Sequence, residues 1–222
     1  MGDTNTKKEV SREAAYWNSF YDEKFKVGIP SQFCCLVAIE AHKTRPFVEF
    51  GCGNGRDSMF IARQGSPVYA GDLSSKAIEN LQRAAPSNAT FSVCDVSKPE
   101  DVKALVTLAR AAANESDNFN VTIYNRFFIH ALDEQQELVF LEALSEITKR
   151  GDMLYMEYRC SLDESLEKEH GNGHYRRYVD TDKLIKLLTG LNFKTTYKIT
   201  GQGMAKFKKE DPFVSRIICE RL

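Results

Sequence analysis

Gly51, Gly53 and Gly55 alternate with Cys52 and Asn54, directly after the apolar run Phe47-Val48-Glu49-Phe50 and before Arg56-Asp57-Ser58. Such a turn lets the backbone bend sharply and lets a ligand approach with no Cβ in the way. A helix starting beyond it offers free N–H donors and a partial positive charge, suited to a carboxylate or a phosphate. A dinucleotide fingerprint reads G-x-G-x-x-G, and here Arg56 stands where its third glycine belongs and would crowd a pyrophosphate. A nicotinamide-dependent oxidoreductase is therefore the rival reading, not the first. Asp72 ends the run Val68-Tyr69-Ala70-Gly71-Asp72-Leu73, about twenty residues on, the distance set by one βαβ unit. A carboxylate there can accept both hydroxyls of a ribose. Its plainer reading is a helix cap before Ser74-Ser75, and the plainer reading of Asp95 in Cys94-Asp95-Val96 is a turn residue.

Two further residue types carry chemistry. An imidazole titrates near neutrality, so His130 and His174 are the candidate bases, His130 first; a base that takes a hydroxyl proton is worth roughly 10²–10⁴-fold. A histidine among Phe127, Phe128 and Ala131 is equally read as a core residue bonded to backbone. Arg126, Arg159, Arg176 and Arg177 could converge as a clamp for a carboxylate or phosphate. The alternative is pairing with Glu157, Asp163 or Glu164, or plain solvation. Lys206-Phe207-Lys208-Lys209 reads most simply as a solvated loop. No spacing of Cys or His suggests a metal.

The elements that must position these residues follow from hydrophobic period. Val10, Ala14, Trp17, Phe20 and Tyr21 give an amphipathic helix from Val10 to Phe25, stopped by Gly28-Ile29-Pro30-Ser31; a second helix runs from Ser31 or Gln32 to about Ala41. These form an N-terminal extension or lid over residues 1–44. From residue 45 to 222, apolar runs alternate with helical stretches, the pattern of βα units around a parallel sheet. The strands are expected at Phe47–Gly51, Val68–Leu73, Thr90–Val93, Asn120–Tyr124 and Met153–Tyr158, with helices at Asp57–Gln64, Ser75–Ala84, Asp101–Ala113 and Glu134–Thr148. Ser97, Pro99 and Glu100 are expected to cap the third of these helices. A long polar loop from Cys160 to Tyr178, a helix from Thr181 and a terminal hairpin, Phe193–Thr200 and Phe213–Glu220, complete a seven-stranded, mostly parallel α/β sheet with an antiparallel end.

The glycine turn with Glu49 before it resembles motif I, E/D-x-G-x-G-x-G, of the Rossmann-like (class I) S-adenosylmethionine-dependent methyltransferases, and the resemblance runs over nearly the whole chain. It is carried further by Trp17 and Tyr21, by Pro30-Ser31, by Asp72-Leu73-Ser74, by Arg126 to Ala131 and by His174 to Arg177. It implies S-adenosylmethionine as cofactor, held by Trp17, Glu49, Gly51, Gly53, Gly55, Arg56, Asp57, Asp72, Leu73, Asp95, Val96 and Asn125, with Asp95 accepting from the adenine amino group. It implies an acceptor above the fourth and fifth strands, near Tyr21, Arg126, His130, Glu157, Arg159, His174, Arg176 and Arg177. Base methyltransferases often carry Asn/Asp-Pro-Pro-aromatic after the fourth strand; Tyr124-Asn125-Arg126-Phe127 has no proline, which counts against nucleic acid.

Composition closes off other classes. A net charge of −1 gives no field for nucleic acid or anionic lipid, and 42% hydrophobic with 27% charged residues is ordinary globular content. No apolar run approaches the roughly 20 residues of a membrane helix, and the first residues lack a secretory signal, so a cytoplasmic location is expected. Several of the six cysteines sit in apolar, strand-like runs, which suggests buried thiols. The expected function is methyl transfer to a small-molecule or glycan-like acceptor, at oxygen and with an anionic group. The alternatives are N-methylation of a small metabolite, or a non-catalytic S-adenosylmethionine-binding regulator.

Overall fold

The computed structural model describes residues 11–24, 26–112, 120–166 and 175–222. The apolar runs become β1 (Phe47–Phe50), β2 (Val68–Asp72), β3 (Ala89–Val93), β4 (Thr122–Arg126), β5 (Met153–Arg159), β6 (Phe193–Gly201) and β7 (Val214–Arg221). They form one sheet in the order β3-β2-β1-β4-β5-β7-β6. The first five strands are parallel. β7 lies antiparallel between β5 and β6, so the last strand is inserted beside β5 and β6 forms the edge of the sheet. The chain is thus a Rossmann-like α/β fold, as its sequence predicts.

The helices are α1 (Arg12–Lys24), α2 (Gln32–Glu40), α3 (Arg56–Arg63), α4 (Ser75–Ala84), α5 (Pro99–Ala111), α6 (Glu134–Ile147) and α7 (Thr181–Gly190). Strand alternation divides the core in two. Val48, Phe50, Ile123, Leu154 and Met156 pack on α5, α6 and α7 through Val106, Leu141 and Leu184. Phe47, Val68, Tyr124 and Tyr155 pack on α2, α3 and α4 through Phe33, Met59 and Leu81. All four residues of β1 are buried, as a central parallel strand covered on both faces requires. From β1 the chain builds β2 and β3 on one side and β4 and β5 on the other. That reversal opens a crevice at the carboxyl ends of β1 and β4, where open α/β sheets take their ligands.

Helix starts carry much of the positioning. Ser31 caps α2, accepting from Cys34 N at 3.0 Å, and Asp133 and Gln136 form a reciprocal capping box on α6. Two expectations need correction. The fourth strand starts and ends two residues later than read, because its pairing on both neighbours sets Thr122 against Phe47 and Met153. Ser97 does not cap α5: its hydroxyl turns back to donate to Asp95 Oδ1 at 2.6 Å, and Lys98 takes the cap position ahead of Pro99. The acidic group that reaches back there is Asp101, which accepts from Asp95 N at 2.9 Å. Five of the six cysteines are buried as expected; Cys35 is exposed. Among the described residues no helix is long and apolar enough to cross a membrane.

Candidate active site

At the end of β1 the chain enters the left-handed region at Gly51 (φ 72°) and Gly53 (φ 54°). A Cβ at Gly51 would strike the Phe128 ring, and one at Gly53 would strike the Tyr21 hydroxyl. Glycine is therefore required there by conformation and by space. Gly51 and Cys52 donate to the Gly71 carbonyl at 2.8 and 3.1 Å, which seats the turn on β2. Asp72 completes this joint: its Oδ2 accepts from Gly53 N at 2.8 Å and its Oδ1 from Ser74 N at 2.9 Å. Burial raises the Asp72 pKa against the lowering effect of those two N–H groups. The cap of α4 is Ser74, not Asp72.

Above this floor lies a cleft. Gly51, Asp72, Leu73, Asp95 and Val96 line one wall, Phe127, Phe128, Ala131 and Leu132 the other, and Glu13, Trp17 and Tyr21 of α1 form the roof. Trp17 and Tyr21 stack with ring centres 6.1 Å apart. Burial and then the Asp72 carboxylate push the Tyr21 phenol pKa up, and its hydroxyl lies over Gly53. Asp95 is held in a turn by Ser97 and by Lys98 at 2.9 Å. Burial acts to raise its pKa, but those partners outweigh it and hold the carboxyl below its ordinary value. A larger cavity of about 500 Å³ opens around Phe47, Phe60 and Thr122, at the amino ends of the strands, away from the glycine turn.

Six expected cofactor residues, Glu49, Gly53, Gly55, Arg56, Asp57 and Asn125, are not among those that line the cleft. Glu49 points beneath the turn and accepts from the Ser58 hydroxyl. Asp57 is spent on the framework, accepting from Ser31 N at 2.7 Å, Ser31 Oγ at 2.8 Å and Tyr124 OH at 2.8 Å, which ties α2 and β4 to α3. Arg56 lies beside Asp57 with Nε 3.9 Å from its carboxylate. Gly55 enters α3 against Leu81, leaving no space there for a Cβ. Asn125 differs from all of these: it is fully buried, and neither its amide oxygen nor its amide nitrogen has a partner among the described residues.

The arginine clamp is not assembled. Arg126 Nε bonds Glu157 at 2.6 Å, and Arg216 Nε bonds the other oxygen of the same carboxylate at 2.6 Å. Arg159 pairs with Asp163 at 2.7 Å and with Glu210, and Arg177 with Glu137. Arg176 is half-buried. Glu157 is thus the centre of an ion triad. His130 is buried, and its Nδ1 accepts from Arg159 N at 3.1 Å. That bond places the neutral ring's proton on Nε2, the opposite of a base aimed at an acceptor. His174, with His170, lies outside the described residues. Sequence reasoning missed Phe127, a non-glycine residue at φ 52° whose ring lines the cleft and carries the Arg126 guanidinium 4.2 Å from its centre. It also missed Arg216 and Asn18; a lone polar residue in a strand or helix gives no signal of its partners.

Sheet order and cleft define a Rossmann-like nucleoside-binding protein. Residues 47–151 match the family model described as a methyltransferase domain, so the chain carries a methyltransferase domain of the class I, S-adenosylmethionine-dependent kind. It is an enzyme whose cofactor is S-adenosylmethionine. Among curated protein sequences nothing matches. Solved structures share the fold. A SAM-dependent methyltransferase from Anabaena variabilis superposes with a TM-score of 0.71 at 16% identity, covering 97% of this chain and 98% of that one. One from Methanosarcina mazei gives 0.64 at 17% identity, covering 84% and 97%. The 1,6-didemethyltoxoflavin-N1-methyltransferase of Burkholderia thailandensis, solved with 1,6-didemethyltoxoflavin and S-adenosylhomocysteine bound, gives 0.63 at 14% identity, covering 96% and 91%.

Proposed function

We propose that the cleft under α1 holds S-adenosylmethionine and presents its methyl group to a small-molecule or glycan-like acceptor above β4 and β5. The observation that carries this is the joint at the switch point of the sheet, where Asp72 Oδ2 meets Gly53 N at 2.8 Å. It sets a carboxylate for the ribose hydroxyls beside a turn free of Cβ atoms for the amino-acid end. Leu73 and Val96 flank the slot for the adenine, with Asp95 at its edge. Asn125, buried with an unmatched donor and acceptor, supplies an amide for the ligand's polar end. Trp17 and Tyr21 exclude water from above. Residues 1–44 form the lid, residues 45–222 the catalytic body, and the protein works in the cytoplasm.

Methyl transfer from a sulfonium is an in-line displacement, so positioning supplies much of the rate. Among the described residues no histidine lines the cleft. An acceptor atom that is already unprotonated at neutral pH, as an ionised oxygen is, needs no base. The second reading is N-methylation of a small metabolite, at a nitrogen whose lone pair carries no proton at neutral pH. With three of the arginines paired to carboxylates inside the chain, an anionic acceptor has no ready clamp in them.

Calorimetry with S-adenosylhomocysteine tests the cleft. Asp72→Ala is expected to weaken binding at least about tenfold, the worth of hydrogen bonds to a charged acceptor. Unchanged affinity would place the nucleoside elsewhere. Methyl incorporation into paired hydroxyl, carboxylate and amine acceptors then separates the two readings.

A further inference from the structure

We propose that Asn18 is a positioning residue: it latches helix α1 down over the cleft and so sets how fast S-adenosylhomocysteine leaves. The inference rests on the cleft assignment above. Glu13, Trp17 and Tyr21 recur four residues apart along α1 and form the stripe that roofs the cleft. Asn18 stands beside that stripe, where α1 meets α4. Its Oδ1 accepts from Ser74 Oγ at 2.9 Å, Lys76 N at 3.2 Å and Ser75 Oγ at 3.4 Å.

Those donors belong to the first turn of α4, whose cap is Ser74. A helix cannot satisfy its first N–H groups itself. The Lys76 N–H is one of them, and the lid supplies its acceptor from outside the helix. Ser74 also donates its N–H to Asp72 Oδ1, and Asp72 Oδ2 accepts from Gly53 N. An unbroken line of hydrogen bonds therefore joins the lid to the floor of the cleft through the carboxylate assigned to the ribose. At the other side, Glu13 accepts from Gln136 Nε2 near the start of α6 at 3.4 Å. α1 is strapped across the cleft between the amino ends of two helices, and the shorter bonds are at the Asn18 end. Lifting the strap to release product must break the Asn18 contacts.

Trp17 is the sole tryptophan of the chain and sits in the roof, so its emission reports the lid. Stopped-flow release of S-adenosylhomocysteine, followed by that emission, is compared for wild type, Asn18→Ala and Asn18→Asp. The alanine variant is expected to release product about tenfold faster, as for loss of one well-made acceptor, and to show a raised KM for S-adenosylmethionine with kcat undiminished. Asn18→Asp keeps the acceptor oxygen and adds a charge favoured at a helix amino end, so it is expected to restore wild-type release. Equal release rates in wild type and Asn18→Ala, or no rescue by aspartate, would overturn the latch. A wild type that binds S-adenosylhomocysteine with no change in Trp17 emission would overturn the lid as its reporter and the latch with it. A wild type that does not bind S-adenosylhomocysteine would overturn the cleft assignment as well.

Discussion

A histidine next to a methyl-transfer cleft invites the role of base, yet the backbone has already claimed His130. Its Nδ1 accepts from the Arg159 N–H, and its own carbonyl accepts from the Arg177 N–H at 2.9 Å. His130 thus pins the end of β5 through its ring, and the segment before α7 through its carbonyl, to the turn after β4. His130→Ala is expected to leave the buried Arg159 N–H without a partner, at a cost of about 1–3 kcal/mol, measured as a fall in the urea midpoint. A base would behave differently, losing turnover with stability intact. Asp57 makes the same point. An acidic residue just after a glycine turn reads as a ligand-facing group, but its carboxylate accepts three bonds from Ser31 and Tyr124 and serves as a joint between elements. Phe127 is the reverse case: nothing in its type marks it, and its left-handed backbone is tolerated because Phe127 N donates to Glu157 O at 2.8 Å while the ring is held between the cleft and Arg126.

Between elements, the Arg126–Glu157–Arg216 triad is a consequence of strand register. Arg126 stands opposite Glu157 across β4 and β5, and Glu157 opposite Arg216 across β5 and β7, so all three share one face and meet as direct cross-strand neighbours. Arg216 also donates to the Met204 carbonyl at 2.7 Å, which fastens the β6–β7 loop at the rim of the acceptor side. Glu157→Ala leaves two guanidinium groups buried without their shared counter-charge and is expected to cost about 3–5 kcal/mol. Urea unfolding checks this, and a loss under about 1 kcal/mol would mean that water already screens the triad. The triad ties β4, β5 and β7 together, so these arginines brace the carboxyl ends of β4 and β5.

For the whole molecule, the buried carboxyls set how stability follows pH. Burial, and then the neighbouring Asp57 carboxylate, push the Glu49 pKa well above its ordinary value, with the Ser58 hydroxyl opposing; Asp72 is raised as well. A carboxyl with a raised folded pKa binds its proton more readily in the native chain than in the unfolded one. Stability is then greatest below the ordinary carboxylate range and falls as pH rises toward the folded value. Glu49→Gln removes that penalty. Its urea midpoint is expected to exceed wild type at pH 8 and to match it near pH 4; equal midpoints at both would show Glu49 ionised at no cost. The sequence by itself determined the alternation of strand and helix, the glycine turn, Asp72 one unit later and the terminal hairpin, because these are local matters of period, conformation and chain distance. Only the tertiary structure decided which charges would meet. Whether Arg126, Arg159 and Arg177 face a ligand or a carboxylate, which way the His130 ring is bonded, and where Asn18 finds its donors all depend on register and packing between segments far apart in the chain, and no spacing along it encodes those distances.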